Sequence, residues 1–169
     1  FLRDMEFNRL LSSAISVYGE PNLKSINEKK DEDEYTNQIN KKNYQLIKEV
    51  NELDKWINEA EEIGEIAVDT ETDSLDPHQA NLVGISLCTK IGKACYIPVG
   101  HKFEECLDRK EVLKKIKSLL EDPSIKKIGQ NIKFDFIIFN KLGINLNSIE
   151  DTMLMSYVLD AGKNRHNMD

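Results

Sequence analysis

An apolar run that turns acidic within one residue, Ile66-Ala67-Val68-Asp69-Thr70-Glu71-Thr72-Asp73-Ser74-Leu75-Asp76, constrains the fold more than any other stretch. Ile66, Ala67 and Val68 have the composition of a short buried strand. Side chains alternate along a strand, so Asp69 and Glu71 leave its end on one face, two residues apart. Two carboxylates aimed at one point repel unless one is protonated or a cation lies between them. Hard oxygen ligands favour Mg²⁺ or Mn²⁺. A polar turn after a strand fits the same residues, since Asp and Ser are turn formers, and the stretch by itself leaves both readings open.

Length and charge narrow the setting. A chain of 169 residues with 40% hydrophobic content buries one sizeable core. The formal charge of -7 argues against a domain that wraps duplex through a basic face. A nuclease stays compatible, because acidic residues gathered at a metal site attract phosphate once metal is bound. No apolar run approaches the ~20 residues that span a bilayer, and the first residues have neither signal nor transit character. A soluble cytoplasmic protein with no membrane partner is expected. Cys88, Cys95 and Cys106 are odd in number and lack CxxC or Cys/His zinc spacing, so they read as reduced thiols. The start at Phe1 and the stop at Asp169 in mid-pattern lead us to expect a piece of a longer polypeptide.

Helical spacing of Leu2, Met5, Leu10, Leu11, Ala14 and Ile15, stopped by Gly19-Glu20-Pro21, predicts a first helix over 1–19. Residues 20–42 mix charges of both signs with few large apolar side chains and read as a mobile linker. The expected core domain is 43–169. It starts with a strand at Tyr44–Ile47 and a helix capped by Asn51, with Leu53, Trp56, Ile57 and Ala60 on one stripe and Gly64 at its end. Strands follow at Glu65–Thr70, Asn81–Thr89 and Ala94–Val99, joined as successive antiparallel hairpins. Asp108 caps a helix with Val112, Leu113, Ile116, Leu119 and Leu120 inward, closed by Asp122-Pro123. A short strand at Lys126–Ile128, an apolar helix at Ile132–Leu142 and a helix capped by Asp151 with Met153, Leu154, Tyr157, Val158 and Leu159 on its apolar stripe complete a mixed α/β sheet flanked by helices.

Asp135 interrupts the apolar helix. Asp is a poor helix former and is rarely buried without a partner, so spacing alone accommodates an exposed stripe shared with Asn131, four residues earlier. Asp69-x-Glu71 at a strand end, the hairpins after it and Asn131-x-x-x-Asp135 on a helix resemble the first two motifs of the DEDD 3′→5′ exonucleases of ribonuclease H-like fold. The closer resemblance is to the proofreading exonuclease domain of bacterial DNA polymerase I. It runs through Val68–Asp76, Ile97-Pro98-Val99, Gly129-Gln130-Asn131, Asp151-Thr152-Met153-Leu154 and Arg165–Asp169, in order and spacing. Phe1–Leu11 also resembles the segment that joins this domain to the family's 5′-nuclease region.

The resemblance implies a ligand set and a substrate path. Asp69 bridges two divalent cations, Mg²⁺ or Mn²⁺; Glu71 binds the first and orients the attacking water; Asp135 holds the second. Leu75 wedges against the terminal base, and Thr72, Gln130, Asn131 and Phe134 line the path of a single-stranded DNA 3′ end. For Leu75 and Phe134, ordinary core packing is the competing expectation. His166 is expected to hydrogen-bond locally rather than bind metal. The family's third motif, a Tyr or His followed by a fourth carboxylate, is expected beyond Asp169, with a polymerase domain downstream; Tyr157 and Asp160 are not accepted as substitutes. A ribonuclease D-like RNA-trimming enzyme and a catalytically silent domain bracing a polymerase are the alternatives.

Overall fold

The computed structural model describes residues 7–19, 43–102, 105–161 and 166. The chain divides into two units, Phe1–Glu34 and Tyr35–Asp169. In the first, α1 (Asn8–Tyr18) ends at Gly19, whose φ of 79° is easiest for a residue without Cβ and whose N–H donates to the Ile15 carbonyl. Leu2, Met5 and the expected linker at 20–42 lie outside the described residues.

The second unit is built on one sheet. Its strands are β1 (Gln45–Leu46), β2 (Glu65–Thr72), β3 (Leu82–Lys90), β4 (Lys93–Pro98), β5 (Lys126–Gly129) and β6 (Ile149–Asp151), in the order β1-β4-β3-β2-β5-β6. β2, β3 and β4 pair antiparallel, as the hairpin reading required. β1 joins β4, β5 joins β2 and β6 joins β5 in parallel. Strict alternation governs β2: Ile66, Val68 and Thr70 are buried while Asp69 and Glu71 point to the other face.

The buried face meets α2 (Leu53–Ile63), which packs on β2 and β3 and against α3 (Arg109–Glu121). Leu53, Trp56 and Ala60 from α2 join Val112, Ile116, Leu119 and Leu120 from α3 over Ile66, Val68, Ile85, Leu87 and Ile97. Each large side chain so buried contributes about 1.5–3 kcal/mol. Gly64 closes α2 with φ 80°, and Asp108 caps α3 by accepting from the Glu111 N–H. Cys88 and Cys95 are free thiols, and burial pushes the Cys95 thiol up to about 12.

Four expectations need correction. Asn51 is no cap: a 3₁₀ turn, Val50–Glu52, precedes α2, and Glu49 and Glu52 satisfy each other's backbone reciprocally, an arrangement in which carboxylate acceptors replace the amide. β6 was not foreseen, because Ile149-Glu150-Asp151 is too short to show alternation; pairing with β5 creates it. Asn131 lies outside α4 (Lys133–Lys141) with φ 53°, so no helical face unites it with Asp135. Finally, α5 (Thr152–Asp160), although capped by Asp151 as expected, buries none of its residues, and Leu154, Tyr157, Val158 and Leu159 are exposed beside the edge strand β6.

The loop between β2 and β3 is held at both ends and in the middle. Asp73 accepts from the Asn81 N–H and Nδ2 at 2.7 and 2.9 Å, and Asp76 accepts from the His78 N–H and Gln79 Nε2. Lys141, in the last turn of α4, donates Nζ to the carbonyls of Pro77, His78 and Ala80 at 2.9, 2.9 and 2.8 Å. Lys141→Met is expected to cost on the order of 1 kcal/mol. A thermal melt should show a Tm lower by about 2–4 °C, and limited proteolysis should cut faster within 73–81.

Candidate active site

β2 and α4 meet where the sheet splits. β5 pairs with β2 only as far as Ala67 opposite Ile128, so the later part of β2 has lost its neighbour on that side. A buried ladder N–H needs an acceptor, and Asp135 supplies one. Its Oδ1 accepts the Thr70 N–H at 2.8 Å and the Thr70 hydroxyl at 2.6 Å, joining residues 65 positions apart. Asp135 is 3% exposed, which excludes the solvent-facing stripe that spacing allowed.

The electrostatics follow from that burial. The Asp135 carboxyl is pushed up to about 6, first by burial and then by the charge of Asp69, while the Thr70 hydrogen bonds act in the opposite direction. Asp69, on the open face of β2, is also raised, by partial burial of its carboxyl. The charge of Asp69 acts on Asp135, while the shift of Asp69 itself comes from burial. Glu71 shares the face of Asp69. Among the described residues, however, no three His, Cys, Asp or Glu side chains are drawn together closely enough to hold a metal ion.

Glu71 stands opposite Gly84 on β3, and the register slips between Glu71 and Thr72, the kind of irregularity that re-aims a strand end. Gly84 has no room for a side chain, because the Tyr96 hydroxyl occupies the position a Cβ would take. That hydroxyl bonds His101 Nε2 at 2.7 Å. Tyr96 thus borders the carboxylate face, a placement visible only once β3 and β4 are paired.

The remaining expected site residues are distributed around this centre. Leu75 is 97% exposed on its braced loop, which rules out core packing for it. Thr72 is half-buried, its hydroxyl donating to the Ser74 carbonyl at 2.9 Å. Phe134 is half-buried against the core. Gln130 spends both ends of its amide on protein: Nε2 donates to the His166 carbonyl at 2.8 Å and Oε1 accepts from the Thr152 hydroxyl at 2.5 Å. Asn131 is exposed, and its N–H donates to Asp151 Oδ1, the same oxygen that accepts the Met153 N–H. His166 bonds Ser156 through Nδ1 and lies against the Tyr157 ring, the local role expected of it. Thr70 was missed, since nothing in its sequence position distinguishes a buried hydroxyl with a carboxylate partner from an ordinary strand threonine.

The antiparallel β2-β3-β4 core with β5 and β6 added in parallel has counterparts among solved nucleases. NrnC from Brucella melitensis with bound Mg²⁺ has a TM-score of 0.55 at 22% identity, covering 74% of this chain and 56% of that one. RNase D from Escherichia coli gives 0.56 at 24% identity, covering 72% of this chain and 30% of that one. The fold is thus α/β of ribonuclease H-like class, a mixed sheet flanked by helices. Within that class the chain belongs to the 3′-5′ exonuclease family found in DNA polymerase I, whose family model matches residues 44–169. The DNA polymerase I of Rhizobium leguminosarum is 41% identical over 147 residues, and that of Pseudomonas aeruginosa is 42% identical over 132. Both alignments cover 75% of this chain and 14% of the relative, so the chain spans about 14% of the length of these relatives.

Proposed function

We propose that this chain serves as the proofreading 3′→5′ exonuclease domain of a DNA polymerase I, hydrolysing the terminal phosphodiester of single-stranded DNA 3′ ends in cytoplasmic DNA replication and repair. The observation that carries the reading is the family match over residues 44–169, and it is supported by the hydrogen bonds that tie the buried Asp135 of α4 to Thr70, the residue after Asp69 on β2. Like charges held together in a low-dielectric site are a standing demand for a cation. The donors are all carboxylate oxygens, the chemistry that Mg²⁺ and Mn²⁺ prefer.

In this reading Asp69 would bridge two divalent cations, Glu71 would bind one and orient the attacking water, and Asp135 would hold the other. The cations, when bound, would supply a nucleophile at neutral pH and charge stabilisation for the leaving 3′-oxygen. The chain's own residues do the positioning: Leu75 presents an apolar side chain to the terminal base, and Thr72, Gln130, Asn131 and Phe134 flank the strand path. Identity to DNA polymerases and the match of 44–169 support DNA as the substrate and a polymerase domain in the same polypeptide. The second reading, an RNA-trimming enzyme, has support from the fold shared with RNase D, one structure of which, from Trypanosoma brucei, is a complex with RNA U12. A silent bracing domain is disfavoured by the retention of Asp69, Glu71 and Asp135.

The test uses the polypeptide encoded by the full reading frame that carries this chain. On 5′-labelled single strands with Mg²⁺ it is expected to shorten DNA from the 3′ end, faster than RNA, and to stop when EDTA removes the metal. Preference for RNA would favour the second reading, and hydrolysis that persists in EDTA would remove the metal from the mechanism.

A further inference from the structure

We infer that Tyr96 is a substrate-contacting residue of the proposed exonuclease site, its hydroxyl donating to a phosphate oxygen of the 3′-terminal nucleotide; this rests on the exonuclease reading above. Pairing across three strands puts the ring on the carboxylate face. Asp69 lies opposite Ser86 and Ser86 opposite Tyr96, so the three side chains share the open face of β2, β3 and β4. From that row the ring leans two residues along β3, because its hydroxyl end takes the place of a side chain at Gly84. Gly84 is the partner of Glu71. Directly opposed Cβ positions in an antiparallel pair lie about 4.5–5.5 Å apart. Tyr96 therefore starts in the row of Asp69 and ends as the cross-strand neighbour of Glu71.

Two features hold the hydroxyl there. Only glycine at position 84 leaves room for it, since an added Cβ would collide with Tyr96 Oη, Cζ and Cε2. His101 Nε2 bonds it at 2.7 Å, with the two rings tilted by 60°. His101 is itself fixed: its N–H donates to Cys106 Sγ at 3.1 Å, and two residues earlier the Val99 N–H donates to the Val83 carbonyl at 2.9 Å. A phenol hydroxyl has one proton and two lone pairs, so when His101 Nε2 donates to it the phenol proton can be given to a substrate oxygen. An uncharged donor suits a face that already carries two carboxylates. It attracts a phosphate oxygen without the ion pair that a lysine or arginine would make with Asp69 or Glu71. Held in place before the strand arrives, it also loses little freedom on binding.

The experiment measures 3′-end removal from 5′-labelled single strands with Mg²⁺ by the polypeptide of the full reading frame. It compares the wild type, Tyr96→Phe, Gly84→Ala, the double variant and Asp69→Ala, with a thermal melt of each. Tyr96→Phe keeps the ring and deletes the hydroxyl. It is expected to lower kcat/KM about tenfold, the usual worth of a hydrogen bond to a charged group, through KM with kcat unchanged, and equally for all four terminal bases. Gly84→Ala pushes the hydroxyl out of its slot and is expected to give the same defect, with the double variant no worse than either single one. If Tyr96 only pins the backbone around His101, Tyr96→Phe lowers Tm and leaves KM unchanged, which overturns the inference. A defect confined to one terminal base overturns it too, since a phosphate contact is blind to the base. If Asp69→Ala is inactive while Tyr96→Phe and Gly84→Ala match the wild type, the exonuclease reading stands and the inference fails. A wild type that removes no 3′ nucleotide fails the exonuclease reading and the inference with it. Should Tyr96→Phe or Gly84→Ala not fold, the other carries the same comparison.

Discussion

Replacing Asp69 with alanine is expected to slow 3′-end removal from single-stranded DNA by on the order of a hundredfold or more while leaving the fold intact. The two halves of this expectation come from different properties of one residue. Asp69 sits on the open face of β2, opposite Ser86, and contributes no side chain to the core. Substitutions at such positions usually change stability by less than about 0.5 kcal/mol. Its charge nevertheless contributes to the raised pKa of Asp135, and in the proposed reading its removal deletes the ligand that the two cations would share. Single-turnover rates on a labelled strand, beside circular dichroism melts, measure both halves. An unchanged rate would show that Asp69 is outside the chemistry.

The second large effect has opposite signs with and without metal. Asp135→Asn is expected to raise the metal-free Tm at pH 7.5 by several degrees. The Asp135 carboxyl has a folded-state pKa near 6 against an ordinary value of 3.8. A carboxyl raised in this way favours folding fully below 3.8, and that contribution is lost as pH rises through about 6. At neutral pH the buried charge therefore destabilises the chain by roughly 1–3 kcal/mol, and each kcal/mol moves Tm by about 2–4 °C. Asparagine keeps an Oδ1 for the two Thr70 donors and discards the charge. The gain should shrink toward zero at pH 4, where the wild-type carboxyl is protonated in the fold. With saturating Mn²⁺ the order should reverse, because only the wild type gains stability from the ion. Asp135→Ala is the contrast: it leaves the Thr70 N–H and hydroxyl buried without an acceptor, at a cost of about 1–3 kcal/mol. An Asp135→Asn melt identical to wild type across pH would mean that the charge is already neutralised within the fold.

Local rules carried much of the architecture. Alternation in β2 separates Ile66 and Val68 from Asp69 and Glu71, and the hairpins through β3 and β4 follow from short turn-rich connections. Gly64, Asp108 and Asp151 end or start helices for reasons readable in their own side chains. What escaped depends on neighbours distant in sequence. The burial of Asp135 requires the gap beside β2, which exists only because β5 stops pairing after Ala67. β6 is made by its partner, not by its composition. The apolar residues of α5 promised a buried stripe, but composition cannot specify what lies opposite, and Leu154, Val158 and Leu159 face outward. For the site, Asp69, Glu71 and Asp135 were legible in advance as candidate carboxylates. The threonine whose hydroxyl bonds Asp135, and the tyrosine that fills the space over Gly84 opposite Glu71, were not.

The most direct test of the central claim, that Asp69, Glu71 and Asp135 form a divalent-cation site, is anomalous diffraction at the manganese edge from crystals of the polypeptide encoded by the full reading frame that carries this chain, grown with Mn²⁺ and a short DNA strand. The account predicts peaks in contact with Asp69, shared with Glu71 on one side and Asp135 on the other, about 4 Å apart if two ions bind. Strong peaks elsewhere with none touching Asp69 or Asp135 would contradict it.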